Sequence, residues 1–312
     1  MNLTLFASLL LVSLVVPADV PTYPDGRAPI ESIYEASLTL VEQGWTATVI
    51  TNSAPAGTTQ SLPIVAFTSP AKGPAVWILA GVHGEEPAGP NAIAAAIEDI
   101  VRLGQTRPVV LLPLLNPHGY ARNWRYLNVA TYTKAIDGHS VGDSSHLLPT
   151  ENDSNTPRAA EASNPEAAAI TSWILARQAD YPVVVSIDLH EDNLIHQGYV
   201  YSQGKFGTRD PLAVAAVDVL RTEGVPIKMS GLTRFDEPIE NGIIGPVADS
   251  SVDELLSTAQ IIEGGALKPG PKAITVLVLE TPAAAMTLEK RTAAQAAVLR
   301  LMANKLAVPN QP

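Results

Sequence analysis

Two histidines and two glutamates, His83, Glu86, His190 and Glu280, follow apolar stretches of the chain. Imidazole and carboxylate groups bind zinc, and a catalytic zinc site keeps three protein donors and one open position. His83, Glu86 and the remote His190 supply such a set and predict a zinc cofactor. The residues alone leave another interpretation open, in which both histidines make ordinary hydrogen bonds at a loop and a strand end.

Glu280 comes directly after the apolar residues 275–279. Burial at such a position raises the pKa of a carboxyl group, which suits a general base that takes a proton from water and later delivers it to a leaving group. The structural alternative is a carboxylate that caps the following turn. Asp188 and Asp192, on either side of His190, are candidates to orient its imidazole.

Two arginines, Arg122 and Arg125, lie in the polar and aromatic residues 116–125 that follow another apolar segment. A fixed positive charge in a water-poor site is able to stabilise a developing oxyanion. One of the two is the candidate for that role, and the alternative for each is an exposed surface arginine.

Four short apolar segments place these residues, and each is typical of a strand buried on both faces. They alternate with helical patterns, which predicts an α/β fold with a largely parallel sheet. Ligands of such sheets bind beyond the carboxyl ends of the strands. The predicted strands are residues 75–80, 109–115, 183–189 and 274–279, and the predicted helices are residues 89–103, 165–178, 211–223 and 288–306.

The composition of the 312 residues is that of a globular chain: 46% are hydrophobic, 16% are charged and none is cysteine. Disulfides and thiolate ligands are therefore excluded. The formal net charge of −11 argues against a nucleic-acid partner. We expect a single catalytic domain over residues 19–312, in which residues 19–30 form an arm or a linker.

The apolar residues 3–16 are too few to cross a bilayer comfortably and are followed by Pro17 and Ala18. This pattern predicts a signal peptide over residues 1–18, cleaved after Ala18, although no basic residue precedes it. The expected location is secreted or periplasmic, with no stable membrane insertion after cleavage.

A G-x-S-x-G pattern at residues 138–142 (GHSVG) places Ser140 where serine esterases carry their nucleophile. That motif requires an apolar strand before the serine and a helix after it. The flanking residues are polar on both sides, so a serine esterase is the least favoured hypothesis.

Six elements in order resemble those of the zinc carboxypeptidase family: residues 81–86 (GVHGEE), 116–120 (NPHGY), 124–125 (WR), 165–166 (PE), His190 and Glu280. The resemblance covers residues 60–285. It implies a three-layer α/β/α sandwich around a mixed, mostly parallel sheet of about eight strands. It also implies that His83, Glu86 and His190 bind zinc, that Glu280 is catalytic and that Arg125 stabilises the oxyanion. Asn116 and Arg122 are then candidates for substrate contact.

One segment departs from the family pattern. Members that cleave C-terminal residues usually carry Asn-Arg in the long loop, and this chain has Ser145 and His146 there. Histidine cannot make a bidentate contact with a carboxylate, so His146 is a weaker candidate for substrate binding. Arg158 and Arg234 are possible substitutes, and Tyr199 and Tyr201 are candidates to cover the substrate.

We therefore expect an exported zinc-dependent hydrolase of peptide or peptidoglycan-type amide bonds. The alternatives are an N-acyl-amino-acid deacylase similar to the aspartoacylase and succinylglutamate desuccinylase group, and a non-catalytic binding protein. The expected partner is accordingly a peptide or an acylated amino acid.

Overall fold

The computed structural model describes residues 20–53, 61–127, 164–249, 251–263 and 265–307, and the backbone of the strand residues 135–136, 139–140 and 158–159. The predicted signal peptide, residues 1–18, lies outside this described part, as do His146 and the side chains of Ser140 and Arg158. None of the described helices is both long enough and apolar enough to cross a membrane.

The described elements alternate between strands and helices along most of the chain. The helices are α1 (Ile30–Glu42), α2 (Ala88–Ala95), α3 (Ile97–Gly104), α4 (Pro117–Arg122), α5 (Pro165–Arg177), α6 (Pro211–Thr222), α7 (Val252–Ser257) and α8 (Leu288–Leu306). The strands are β1 (Thr46–Ser53), β2 (Leu62–Thr68), β3 (Ala75–Ala80), β4 (Val109–Leu112), β5 (Ala135–Ile136), β6 (His139–Ser140), β7 (Arg158–Ala159), β8 (Val183–Asp192), β9 (Tyr199–Ser202), β10 (Ser230–Leu232), β11 (Pro238–Glu240), β12 (Ile243–Ile244), β13 (Gln260–Glu263), β14 (Ala266–Pro269) and β15 (Thr275–Pro282).

The main sheet has ten strands in the order β1-β2-β4-β3-β8-β15-β9-β12-β11-β10. Its central strands β4, β3, β8 and β15 are parallel. Strands β2 and β9 run antiparallel to β4 and β15, and β1 runs antiparallel to β2. The sheet is therefore mixed with a parallel centre, as expected. It has ten strands where the resemblance implies about eight, and the hairpin β10–β11 and the short β12 form one edge.

Helices cover both faces of this sheet and make the three predicted layers. Along β3, Val76 and Ile78 pack with α1, α2, α3, α6 and α8 on one face. The alternate residues Trp77 and Leu79 pack with α5 and α7 on the other. Side chains alternate between faces along a strand, so a strand covered on both sides must be apolar throughout, as β3 is.

The sequence-based boundaries differ from the structure at a few places. The predicted helix over residues 89–103 is two helices, because the backbone at Ala96 (φ −105, ψ 15) leaves the helical conformation. Strand β4 ends at Leu112, whereas β8 continues through the polar residues His190 to Asp192. Helix α1 and strands β1 and β2 lie outside the elements predicted above.

Candidate metal centre

The three segments that carry the candidate donors and the candidate base meet at one edge of the sheet. Strands β3, β8 and β15 are parallel neighbours, so their carboxyl ends lie side by side. His83 follows β3, His190 lies near the end of β8, and Glu280 lies opposite His190 in β15. The predicted convergence of these residues follows directly from the parallel register.

The turn that carries His83 and Glu86 is held against helix α4. Gly81 has a positive φ of 67°, and a Cβ atom at Gly84 would lie 2.0 Å from the carbonyl carbon of Gly119. Only glycine allows this approach. Arg27, from the segment before α1, donates to the carbonyl of Gly84 at 2.7 Å. The turn is therefore fixed from two sides.

The donor atoms of the three candidate ligands face one another. Nδ1 of His83 lies 2.7 Å from one carboxylate oxygen of Glu86, and Nδ1 of His190 lies 2.9 Å from the other. The two Nδ1 atoms are 3.2 Å apart. All three side chains are buried, and this group has a geometry able to hold a metal ion.

This donor set fits zinc. Two imidazole nitrogens bound to one tetrahedral zinc ion at about 2.0–2.1 Å lie roughly 3.3 Å apart, close to the 3.2 Å between the two Nδ1 atoms of His83 and His190. Two ring nitrogens and a carboxylate are also a preferred ligand set for a catalytic zinc ion. We conclude that these residues fit the metal that the sequence predicts.

Neighbouring charges shift the pKa values of Glu86 and His190 in opposite directions. Burial alone would raise the pKa of Glu86, but His83 and His190 hold it well below its usual range. Burial alone would lower the pKa of His190, but Asp188 and Glu86 raise it well above the usual value. Asp188 lies 3.2 Å from Nε2 of His190 and leaves Nδ1 facing the other donors. Asp188 is thus the residue that orients this imidazole, whereas Asp192 pairs with Arg234.

A cavity of about 390 Å³ opens beside the donors. Its walls come from the ends of β8, β9 and β15, from residues near the hairpin β10–β11 and from the start of α7. Tyr199 and Tyr201, predicted as candidates to cover a substrate, line it as neighbouring aromatic rings 5.5 Å apart.

Glu280 lines the same cavity. Its Oε2 atom is shielded from solvent and has no hydrogen-bond partner among the described residues. Burial, helped by the negative charge of Glu86, raises the pKa of Glu280 to about 8. An unpartnered carboxyl oxygen next to a set of metal donors is suited to exchange protons with a substrate or water.

The two candidate arginines have different surroundings. Arg125 lines the cavity and contacts Glu86 at 3.1 Å and Glu85 at 3.2 Å. Arg122 donates to Nδ1 of His118 at 2.7 Å and lies over the ring of Trp124. Of the two, only Arg125 is among the residues that line the cavity.

Asn116 has a structural role in this arrangement. It is buried and caps helix α4 by accepting a hydrogen bond from the Gly119 N–H at 2.8 Å. Its amide nitrogen donates to the carbonyl of Arg125 at 3.3 Å. Asn116 therefore positions Arg125 and does not line the cavity, so its predicted contact with substrate has no support in this geometry.

One residue at the site, Asp253, has no motif that reveals it. Asp253, at the start of α7, is buried and lines the cavity with Asp188 and His190 as neighbours. Burial and the charge of Asp188 raise the pKa of Asp253 well above its usual value. Its position depends on how α7 packs across β8 and β15, which no local pattern indicates.

The sequence was compared with models of known protein families. The sequence profile of the family described as zinc carboxypeptidase matches residues 43–223, more than half of the chain. The chain belongs to the zinc carboxypeptidase family. His83, Glu86 and His190 lie within the matched residues, and Glu280 lies beyond them.

Solved structures share the zinc carboxypeptidase fold with this chain at low sequence identity. The "putative metallopeptidase" of Shewanella baltica OS155 is 22% identical with a TM-score of 0.65, over 88% of this chain and 91% of its own. Carboxypeptidase A of Helicoverpa armigera is 16% identical with a TM-score of 0.55, over 97% and 80%. Bovine thrombin-activatable fibrinolysis inhibitor, bound to tick carboxypeptidase inhibitor, is 13% identical with a TM-score of 0.54, over 90% and 98%. None of the curated proteins is significantly similar in sequence. Fold and family together identify a zinc metallopeptidase-like hydrolase.

Proposed function

We propose that this protein hydrolyses peptide amide bonds with a zinc ion held by His83, Glu86 and His190. The observation that supports this most is that the three donors meet, and that His83 and His190 line one cavity together with Glu280. Structural residues rarely bring a zinc-type donor set and an unpartnered carboxyl to the same opening.

The residues divide the chemistry between them. When bound, zinc supplies a Lewis acid that makes water a competent nucleophile at neutral pH. Glu280 accepts a proton from the attacking water and delivers it to the departing amine. Arg125 lines the same space and has guanidinium donors that stabilise the negative charge on the carbonyl oxygen.

Arg234 is our candidate for the residue that binds a substrate carboxylate. Its Nη1 atom lies 2.9 Å and 3.0 Å from the two carboxylate oxygens of Asp192, and its guanidinium stacks 4.7 Å from the Phe235 ring. Arg234 also lines the cavity, and its contacts with Asp192 use Nη1 alone. A held, planar guanidinium is well suited to a carboxylate.

The cavity wall at the start of α7 is acidic and favours a cationic group on the substrate, because Asp249 and Asp253 line it. Oδ1 of Asp253 is buried and has no hydrogen-bond partner among the described residues. An ammonium group placed there would satisfy this oxygen. We therefore propose that the preferred peptides carry a basic side chain beside the bond that is cleaved.

A substrate panel tests this function. The protein is assayed after chelation and after return of zinc, on peptides that end in lysine, norleucine or glutamate. Each peptide has a free or an amidated C-terminus, and N-acyl amino acids are included. We expect zinc-dependent hydrolysis that is fastest for lysine peptides with a free carboxylate. Asp253→Asn is expected to remove the preference for lysine over norleucine.

Two results would contradict the proposal. Hydrolysis of the N-acyl amino acids alone would replace a peptidase with a deacylase. Peptide turnover that is equal with and without zinc would show that the metal is not part of the reaction.

A further inference from the structure

The C-terminal helix α8 contacts the strand ends that carry the metal donors and Glu280, from the side opposite the cavity. Arg291 and Gln295 stand one helical turn apart on α8, so they lie on the same face of the helix. Both side chains are buried. They lie outside the residues that match the family profile.

Arg291 is linked through Glu191 to the segments that carry two of the candidate metal ligands. Its Nε donates to Glu191, and its Nη1 donates to the carbonyl of Met286. The second carboxylate oxygen of Glu191 accepts the N–H of Ala88 at 2.7 Å, two residues after Glu86. The backbone N–H of Glu191 donates to the Glu86 carboxylate at 3.1 Å.

Gln295 joins the strand of His190 to that of Glu280. Its amide nitrogen donates to the carbonyl oxygen of His190 and to the hydroxyl of Thr281, both at 2.8 Å. Thr281 directly follows Glu280 in β15. One side chain therefore bridges the backbone of a candidate metal ligand and the residue that follows the candidate base, where β8 and β15 are also paired in the sheet.

Strand alternation explains why the helix contacts these residues from behind. In β8 and β15, His190 and Glu280 face the cavity. Glu191 and Thr281 follow them and point to the opposite face, where α8 packs. The helix thus holds the strand ends without entering the cavity.

Arg291 and Glu191 form a buried ion pair, which is an energetically unfavourable way to pack a helix against a sheet. Removing two charges from water carries a large desolvation penalty, and apolar residues of similar volume often stabilise a fold as well or better. Packing alone therefore does not require a buried ion pair. Glu191, the acidic partner, directly follows His190, and its other hydrogen bonds run to Ala88 and to the Glu86 carboxylate.

We propose that Arg291 and Gln295 are positioning residues that hold Glu86, His190 and Glu280 in the geometry that binds metal and carries out hydrolysis. This inference rests on the proposed zinc-dependent function. It predicts that loss of these contacts changes metal affinity and turnover more than it changes folding.

Four single variants test the role. Gln295→Met and Arg291→Met remove the contacts, Arg291→Lys keeps the charge, and Arg300→Met is the control on the half-exposed outer face of α8. Zinc affinity is measured by competition with a chromophoric chelator, thermal unfolding by circular dichroism, and kcat and KM on the best peptide. We expect zinc affinity to fall about 10–100-fold in Gln295→Met and Arg291→Met, as for other residues that orient metal ligands. Arg291→Lys should recover part of this loss, and Arg300→Met should match the wild type.

The steady-state constants separate positioning from a purely structural role. A displaced Glu280 lowers kcat and leaves KM nearly unchanged. Folded Gln295→Met and Arg291→Lys variants with wild-type zinc affinity and kcat would overturn the inference, even if Arg291→Met fails to fold. A wild-type protein that binds no zinc would instead overturn the proposed function, and the positioning role with it.

Discussion

At the scale of single residues, the chemistry depends most on Glu280. The carboxyl of Glu280 faces the cavity, its Oε2 atom has no hydrogen-bond partner among the described residues, and burial raises its pKa to about 8. A raised pKa makes the ionised carboxylate a stronger base toward water and makes the protonated form a usable acid for the leaving group. Glu280 is not one of the candidate zinc ligands. Zinc binding and proton transfer can therefore be separated by mutation of Glu280.

We expect Glu280→Gln to keep zinc and to lose hydrolysis by about two to four orders of magnitude, because the amide cannot accept a proton. The measurement is kcat/KM with zinc content determined on the same sample. Glu289→Gln, an exposed glutamate on the first turn of α8, is the matched control. Near-normal turnover in Glu280→Gln would assign the base to another residue.

The sequence predicts some residues of this site better than others. His83, Glu86, His190 and Glu280 follow apolar strands, and parallel strands bring such positions together whatever the details of packing. The hydrogen bond that Asn116 accepts from the Gly119 N–H exists because α4 begins directly after Asn116. The sequence therefore suggests a substrate contact where the structure has a helix cap. Asp253 is brought to the site by packing across the sheet, which a local pattern does not encode.

At the scale of elements, the turn between β3 and α2 is the part that must be rigid. It carries His83 and Glu86 and runs against the backbone of α4 at Gly119, with Arg27 bound to its carbonyl at Gly84. The close approach leaves no room for a side chain at position 84. Small displacements of the turn therefore move two candidate ligands together.

Gly84→Ala is expected to destabilise the fold by about 1–3 kcal/mol, the usual cost of overpacking, and to weaken zinc binding. Urea unfolding and a zinc titration check both effects. Gly245→Ala is the control, because the nearest atom to a Cβ there is 3.9 Å away. An unchanged zinc affinity in Gly84→Ala would show that the close approach does not position the ligands.

The predicted boundaries of helices and strands match the structure where local sequence signals decide them. Strand β3 and helix α8 match their predicted limits because one is apolar throughout and the other has a capping Thr287 at its start. Strand β8 extends past its prediction because His190, Glu191 and Asp192 find polar partners in the folded state. Those partners come from distant segments, so hydrophobicity underestimates the strand.

At the scale of the whole molecule, the site exists only when remote parts of the chain are folded together. His83 and His190 are 107 residues apart in sequence, and Arg291 contacts Glu191 across another 100. The central parallel strands and α8 bring these parts to one edge. Because the donors are assembled only by folding, a metal that binds them must stabilise the folded state.

Zinc titration of the metal-free protein, followed by thermal unfolding, is the most direct test. We expect one zinc ion per chain and a stabilisation of about 2.7 kcal/mol when free zinc is 100 times its Kd. His83→Ala and His190→Ala should lose both the bound ion and the stabilisation. A wild-type chain that takes up no zinc, or a His190→Ala variant that binds it as tightly as the wild type, would contradict the account.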